Sequence, residues 1–153
     1  MYAPDPAAVL RTQAELLVSG GLVAPVEMDL HAAGSRPATP LATSSVSWLT
    51  QAFAKANGAT GLGPALAGVV REAGLRPVGM MAVHHQFVPG DPDGPASFAG
   101  IIKTMLPLIE KAGVATAEEV GPETYEARLA EELATAQAVL EYPQLFCAWG
   151  IKD

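Results

Sequence analysis

Positive charge is scarce in this chain: 9 Lys and Arg stand against 16 Asp and Glu in 153 residues, for a net charge of −7. Binding along a phosphate backbone needs clustered cations, and here they are spread singly, so neither nucleic acid nor an anionic membrane surface is expected as a partner. Cysteine is nearly absent. The lone Cys147 has no second thiol to pair with and lies in an apolar run, which reads as a small buried hydrophobe. No stretch of about 18 apolar residues occurs, so no membrane-crossing helix is expected. The opening MYAPDP lacks the basic and apolar regions of a signal peptide, which predicts a cytoplasmic protein. A glycine-rich dinucleotide fingerprint is also missing. Gly58 to Gly63 (GATGLG) imitates one, but Leu66 stands where a third glycine belongs, and a helical pattern rather than a strand precedes it. No His, Cys and carboxylate set has metal-ligand spacing, so no metal is expected.

What is present describes a folded α/β chain. Hydrophobic content of 50% with 16% charged residues argues against disorder, and the length suits a single domain over 1–153 with a real core. The organising stretch is Asp5 to Leu30. Asp5 can cap a first turn and Pro6 fits the first helical position. Val9, Leu10, Ala14, Leu16 and Leu17 form an apolar stripe opposite Arg11, Gln13 and Glu15, and Gly20-Gly21 closes the helix. Leu22 to Met28 is then apolar on both faces except at Glu27, the pattern of a strand buried between two helix layers.

The remaining elements follow in order. A loop from His31 to Thr39 leads into a helix from Pro40 to about Asn57, capped by Thr39, with Val46, Leu49, Phe53 and Ala56 inward and Trp48 beside that stripe. A second helix runs from about Pro64 to Glu72. Leu75 to Val88 reads as one long strand in which alternation turns His84 and His85 to opposite faces, so they cannot together chelate a metal. After the loop Pro89 to Pro95, a helix from Ser97 to Ala112 carries Pro107 as a predicted kink. Thr116 and Glu119 form a capping box, a helix from Pro122 to about Leu140 buries Tyr125, Leu129, Leu133 and Ala136, and Tyr142-Pro143 breaks it. Gln144 to Ile151 is the last strand, with Leu145, Cys147 and Trp149 on one face.

YAPDPAAVLRTQAELLVSGGLVAPVEMDL resembles the segment that follows the fourth strand of class I S-adenosylmethionine-dependent methyltransferases. There a Pro-Asp-Pro helix leads through paired glycines into the fifth strand and an acidic end. MLPLIEKAGVATAEEVG, TYEARLAEEL and the terminal FCAWGIKD are similar to the carboxyl-terminal half of small-molecule members, so the resemblance spans nearly the whole chain. Pro25 in mid-strand and Val18-Ser19 before the glycines depart from the family pattern, and Pro25 suggests a bulge or an edge. The family's amino-terminal half, with its glycine-rich turn and ribose-binding acid, has no counterpart here.

The resemblance implies a partial Rossmann-like methyltransferase fold of about three strands with flanking helices, the last strand antiparallel between the two before it. It implies an acceptor-binding half acting on a small molecule, in bacterial secondary metabolism, with S-adenosylmethionine bound mainly by a second polypeptide. An open sheet edge would then be covered by that polypeptide or by self-association. Glu27 and Asp29, at the strand exit where open α/β sheets bind ligands, are candidates for acceptor binding, with His31 and Trp48. His84 or His85 is the candidate base where the acceptor must lose a proton. Tyr2 is placed near the methionine end of the cofactor. Other readings stay open: a non-catalytic stabilising subunit, a cofactor-independent catalyst in the same pocket, or a piece of a longer enzyme.

Overall fold

Asp5 begins the first helix as its side chain dictates: Oδ1 accepts the Ala8 N–H at 2.8 Å, and Pro6 takes the first helical position. A computed structural model describes residues 3–56 and 58–153. In chain order the elements are α1 (Pro6–Glu15), β1 (Leu22–Val23), β2 (Val26–Asp29), β3 (Gly34–Arg36), α2 (Pro40–Lys55), α3 (Leu66–Glu72), β4 (Arg76–Val83), β5 (Gln86–Phe87), α4 (Asp93–Lys111), α5 (Ala117–Val120), α6 (Tyr125–Ala136), β6 (Val139–Glu141) and β7 (Gln144–Ile151). Short 3-10 turns occupy Leu30–Ala32 and Gly63–Ala65. The chain is mixed α and β, and every strand pair is antiparallel. It divides into two compact units, one of residues 3–29, 58–83 and 144–153, the other of 30–56 and 84–143.

In the first unit β7 is the central strand. It pairs on one side with β1 and β2, from Leu22↔Ile151 to Asp29↔Gln144, and on the other with β4, from Arg76↔Ile151 to Val83↔Leu145. Being antiparallel to both, it makes β2 and β4 run the same way, with β7 between them. Residues directly opposite one another share a face. Ala148, Phe146 and Val23 therefore point to the side where Ala7, Leu10 and Ala14 of α1 and Leu66, Val69 and Val70 of α3 form the core. Gly150 lets α3 approach, because a Cβ there would stand 2.4 Å from Val70 Cγ1 and 3.1 Å from Leu75 Cβ.

The opposite face carries Leu22, Val26, Met28, Met81, Val83, Leu145, Cys147, Trp149 and Ile151, and neither helix of this unit lies on it. Leu22 is 53% exposed, Val26 61%, and Met81 and Val83 53% each. This corrects the expectation of a first strand buried between two helix layers, since one layer and one neighbouring strand are lacking among the described residues. Cys147, expected to be buried, is half-buried for the same reason. Pro25 marks an edge and no bulge. The register keeps step on either side of it, and Ala148 N–H donates to the Pro25 carbonyl at 3.2 Å.

Other expectations need their boundaries redrawn. The long strand stops at Val83, and the chain passes through His84 and His85 into β5 in a second sheet, ordered β3-β6-β5. Alternation therefore does not place the two histidines on opposite faces of one strand. The expected loop from His31 to Thr39 contains β3, too short and too polar to show a period. The helix expected to reach Leu140 ends at Ala136, where Gln137 adopts a left-handed φ of 48° and the Ala138 N–H closes onto the Leu133 carbonyl at 2.9 Å. The helix expected from Ser97 begins at Asp93, since Pro95 falls in a first turn that needs no donor there. About three strands were expected. Seven strands form among the described residues, because β1 and β2 share one edge and three more make the second sheet.

The second unit packs α2, α4 and α6 around Leu49, Phe53, Phe98, Ile102, Ile109, Leu129 and Leu133. Thr39 holds the N-cap position of α2 but makes no side-chain cap. Glu132 of α6 caps that helix, its Oε1 and Oε2 accepting the Leu41 N–H at 2.8 and 3.0 Å. The expected capping box is present, with the Thr116 N–H on Glu119 Oε2 at 2.8 Å and the Glu119 N–H on Thr116 Oγ1 at 3.2 Å. Tyr125 is fully buried and shares a 2.6 Å hydrogen bond with Ser45, whose hydroxyl donates to the Leu41 carbonyl at 2.6 Å. Burial pushes the Tyr125 phenol from 10.0 up to about 12, outweighing the Ser45 hydrogen bond and Arg128, which pull the other way.

Two outcomes follow from this packing. Gly150→Ala costs about 1–3 kcal/mol in urea denaturation, since Val70 and Leu75 must move; a change within about 0.5 kcal/mol would contradict the α3 contact. The raised Tyr125 value means that the unfolded chain loses this proton first. Its contribution to stability is complete below pH 10 and declines as pH rises towards about 12. Tyr125→Phe removes that part of the alkaline slope, and an unchanged slope would contradict it.

Candidate functional site

Two clefts in the second unit gather side chains with chemistry. The larger, about 450 Å³, is lined by His31 of the first 3-10 turn, Ser35 and Arg36 of β3, Thr43, Val46, Ser47 and Thr50 of α2, and Glu141 of β6. Spacing of three and four residues turns Thr43, Val46, Ser47 and Thr50 to one side of the helix. Strand pairing supplies the other wall, since Gly34↔Glu141 and Arg36↔Val139 place β3 beside β6.

Glu141 is 6% exposed, unusual for a carboxylate on the middle strand of a sheet. Arg36 Nε donates to both of its oxygens at 2.9 Å, and Gln86 Nε2 donates to Oε1 at 3.3 Å. The Arg36 side chain is 79% exposed, so the pair is buried at its acid and open at its base. Ser35 supports the turn behind it, accepting the Thr39 N–H at 2.9 Å and bonding the Thr39 hydroxyl at 3.0 Å.

The smaller cleft, about 300 Å³, is lined by His85, Phe87, Asp93, Ala96, Ser97 and Tyr142. His85 stacks on Phe87 with centroids 4.2 Å apart at 23°, and Tyr142 meets Phe87 edge-on at 6.3 Å. The set is an aromatic pocket with polar rims.

The residues expected from the sequence fall in both units. His31 lines the larger cleft and His85 the smaller, while Trp48, half-buried on α2, lines neither. His84 is half-buried, and its Nε2 is buried without a hydrogen-bond partner among the described residues. Glu27 and Asp29 belong to the first unit, on the outer strand β2, where Glu27 Oε1 accepts the Met28 N–H at 2.9 Å. Glu27 thus shields part of an open sheet edge. Tyr2 lies outside the described residues. Arg36 and Glu141 were missed. An acid set in the apolar run AVLEYPQLF is the signal that marks Glu141, and assigning that run to a helix end hides it.

Gly63, the glycine nearest a phosphate-turn pattern, is needed for packing: a Cβ there would lie 2.5 Å from the Phe146 ring. No group of His, Cys, Asp and Glu suited to a metal occurs among the described residues, and no helix among them is long and apolar enough to cross a membrane. No protein-family model matches the sequence, and no curated protein is significantly similar to it.

Proposed function

We propose that this chain is the acceptor-binding part of a class I S-adenosylmethionine-dependent methyltransferase, with the cofactor-binding half supplied by a second polypeptide. The supporting observation is the sheet of the first unit. Its central strand β7 runs antiparallel between β4 on one side and β1 and β2 on the other, helices cover one face, and an apolar second face and the outer edge of β2 stay open. A complementary half bringing a strand for that edge and helices for that face would bury Leu22, Val26, Met81 and Val83. Complete burial of such a side chain is worth about 1.5–3 kcal/mol. Soluble chains rarely leave such an edge and face bare, which makes a covering partner the economical reading.

Methyl transfer is an in-line displacement at a sulfonium, so this chain's task in the reaction is to hold and align a small acceptor and keep water away. The second unit provides the walls, with the two clefts as acceptor sites. A proton acceptor is needed only for acceptors that must ionise. His84, with an unpartnered ring nitrogen, and His85, at the rim of the aromatic pocket, fill that role in the proposal.

Coexpression with a chain carrying a glycine-rich strand, turn and helix, followed by light scattering and titration with S-adenosylmethionine, tests the proposal. The expected product is a one-to-one complex that binds the cofactor, with Val83→Lys preventing assembly. A stable complex unaffected by Val83→Lys, or a chain that stays a monomer beside such a half, would contradict it. Pairing of the chain only with itself would also do so.

A further inference from the structure

We propose that the larger cleft of the second unit binds a small organic carboxylate on the outer edge of the Arg36 guanidinium. Calling that carboxylate the methyl acceptor rests on the function proposed above; the binding itself does not.

The guanidinium is anchored on one side only. Its Nε–H is committed to Glu141 at 2.9 Å from both oxygens, and no other side-chain bond to it is seen among the described residues. The Nη hydrogens therefore remain, in a plane fixed by the Nε contact, as a fork matched to a carboxylate. Stability does not explain this arrangement well. An ion pair with a cation 79% exposed contributes little, yet it keeps a carboxylate 6% exposed on a central strand. Holding Arg36 in one orientation is what the pair achieves.

Charge and geometry select the ligand. Glu141 stands directly behind the guanidinium, so a dianion such as phosphate is repelled more than a monoanion. The amino end of α2, otherwise a natural phosphate site, is already filled by the Glu132 carboxylate on the Leu41 N–H. The walls suit an organic body. Val46 offers methyl groups, Thr43 a hydroxyl, and Ser47 a hydroxyl whose oxygen already accepts from Gln51 Nε2 at 2.8 Å, leaving its proton to donate. About 450 Å³ lies within the range of small-molecule sites.

Benzoate is the probe, with benzamide and inorganic phosphate as controls, followed by NMR of the Arg36 Nε–H and of the Gly34 and Ser47 amides in the whole chain. Benzoate is expected to shift all three saturably, while benzamide and phosphate do not. Arg36→Lys, at an exposed side chain, is expected to keep the fold and weaken benzoate at least about tenfold. Glu141→Gln, which loosens the anchor, is expected to weaken it less. Absence of a saturable shift, equal binding of phosphate, or unchanged affinity in Arg36→Lys would each overturn the proposal. None of these results bears on partner assembly or cofactor binding, so either proposal can fail while the other stands.

Discussion

Strand β7 is what joins the first unit. Its ladder reaches residues 22–29 on one side and 76–83 on the other. Ala148 and Gly150 are small where α3 must come close, and Gly79 is small where the Trp149 indole lies, since a Cβ there would meet Cζ2 at 2.2 Å. Hydrogen bonding and side-chain size thus act on the same strand: one sets its neighbours, the other sets which face takes the helices.

The same strand creates the unit's open side. Every residue that points away from α1 and α3 points to a face that no helix of the unit covers, and the apolar character of Leu145, Trp149, Met81 and Val83 is preserved there all the same. Charged side chains would be the ordinary content of a solvent face. Apolar ones are consistent with a covering layer, and this links packing to the proposed role. The second unit differs, with its core closed by α2, α4 and α6 and its polar residues gathered in clefts.

Legibility in the sequence tracked how local each cause was. The Asp5-Pro6 start, the Thr116/Glu119 box and the span of β7 follow from neighbouring residues and were readable. The buried stripe Tyr125, Leu129, Leu133 was readable from its period. The Glu132 cap on α2 was not, because it links residues 91 apart in sequence. Neither was the break at His84-His85, where the run stays β-like while the chain changes sheets. Short strands such as β3 and β5 carry too few residues to show alternation. In the candidate site, His31 and His85 were legible as residue types. The Arg36–Glu141 pair, 105 residues apart, had no local signature beyond an acid in an apolar run.

The most direct measurement of the central claim is amide hydrogen exchange of residues 22–29 and 144–151, alone and with a complementary glycine-rich half present. In the isolated chain the β7 amides should exchange slowly and the outward Val26 amide fast, with Val26 becoming protected when the complementary half binds. A Val26 amide already as protected as those of β7 in the isolated chain at every concentration, and unchanged by the added half, would contradict the account.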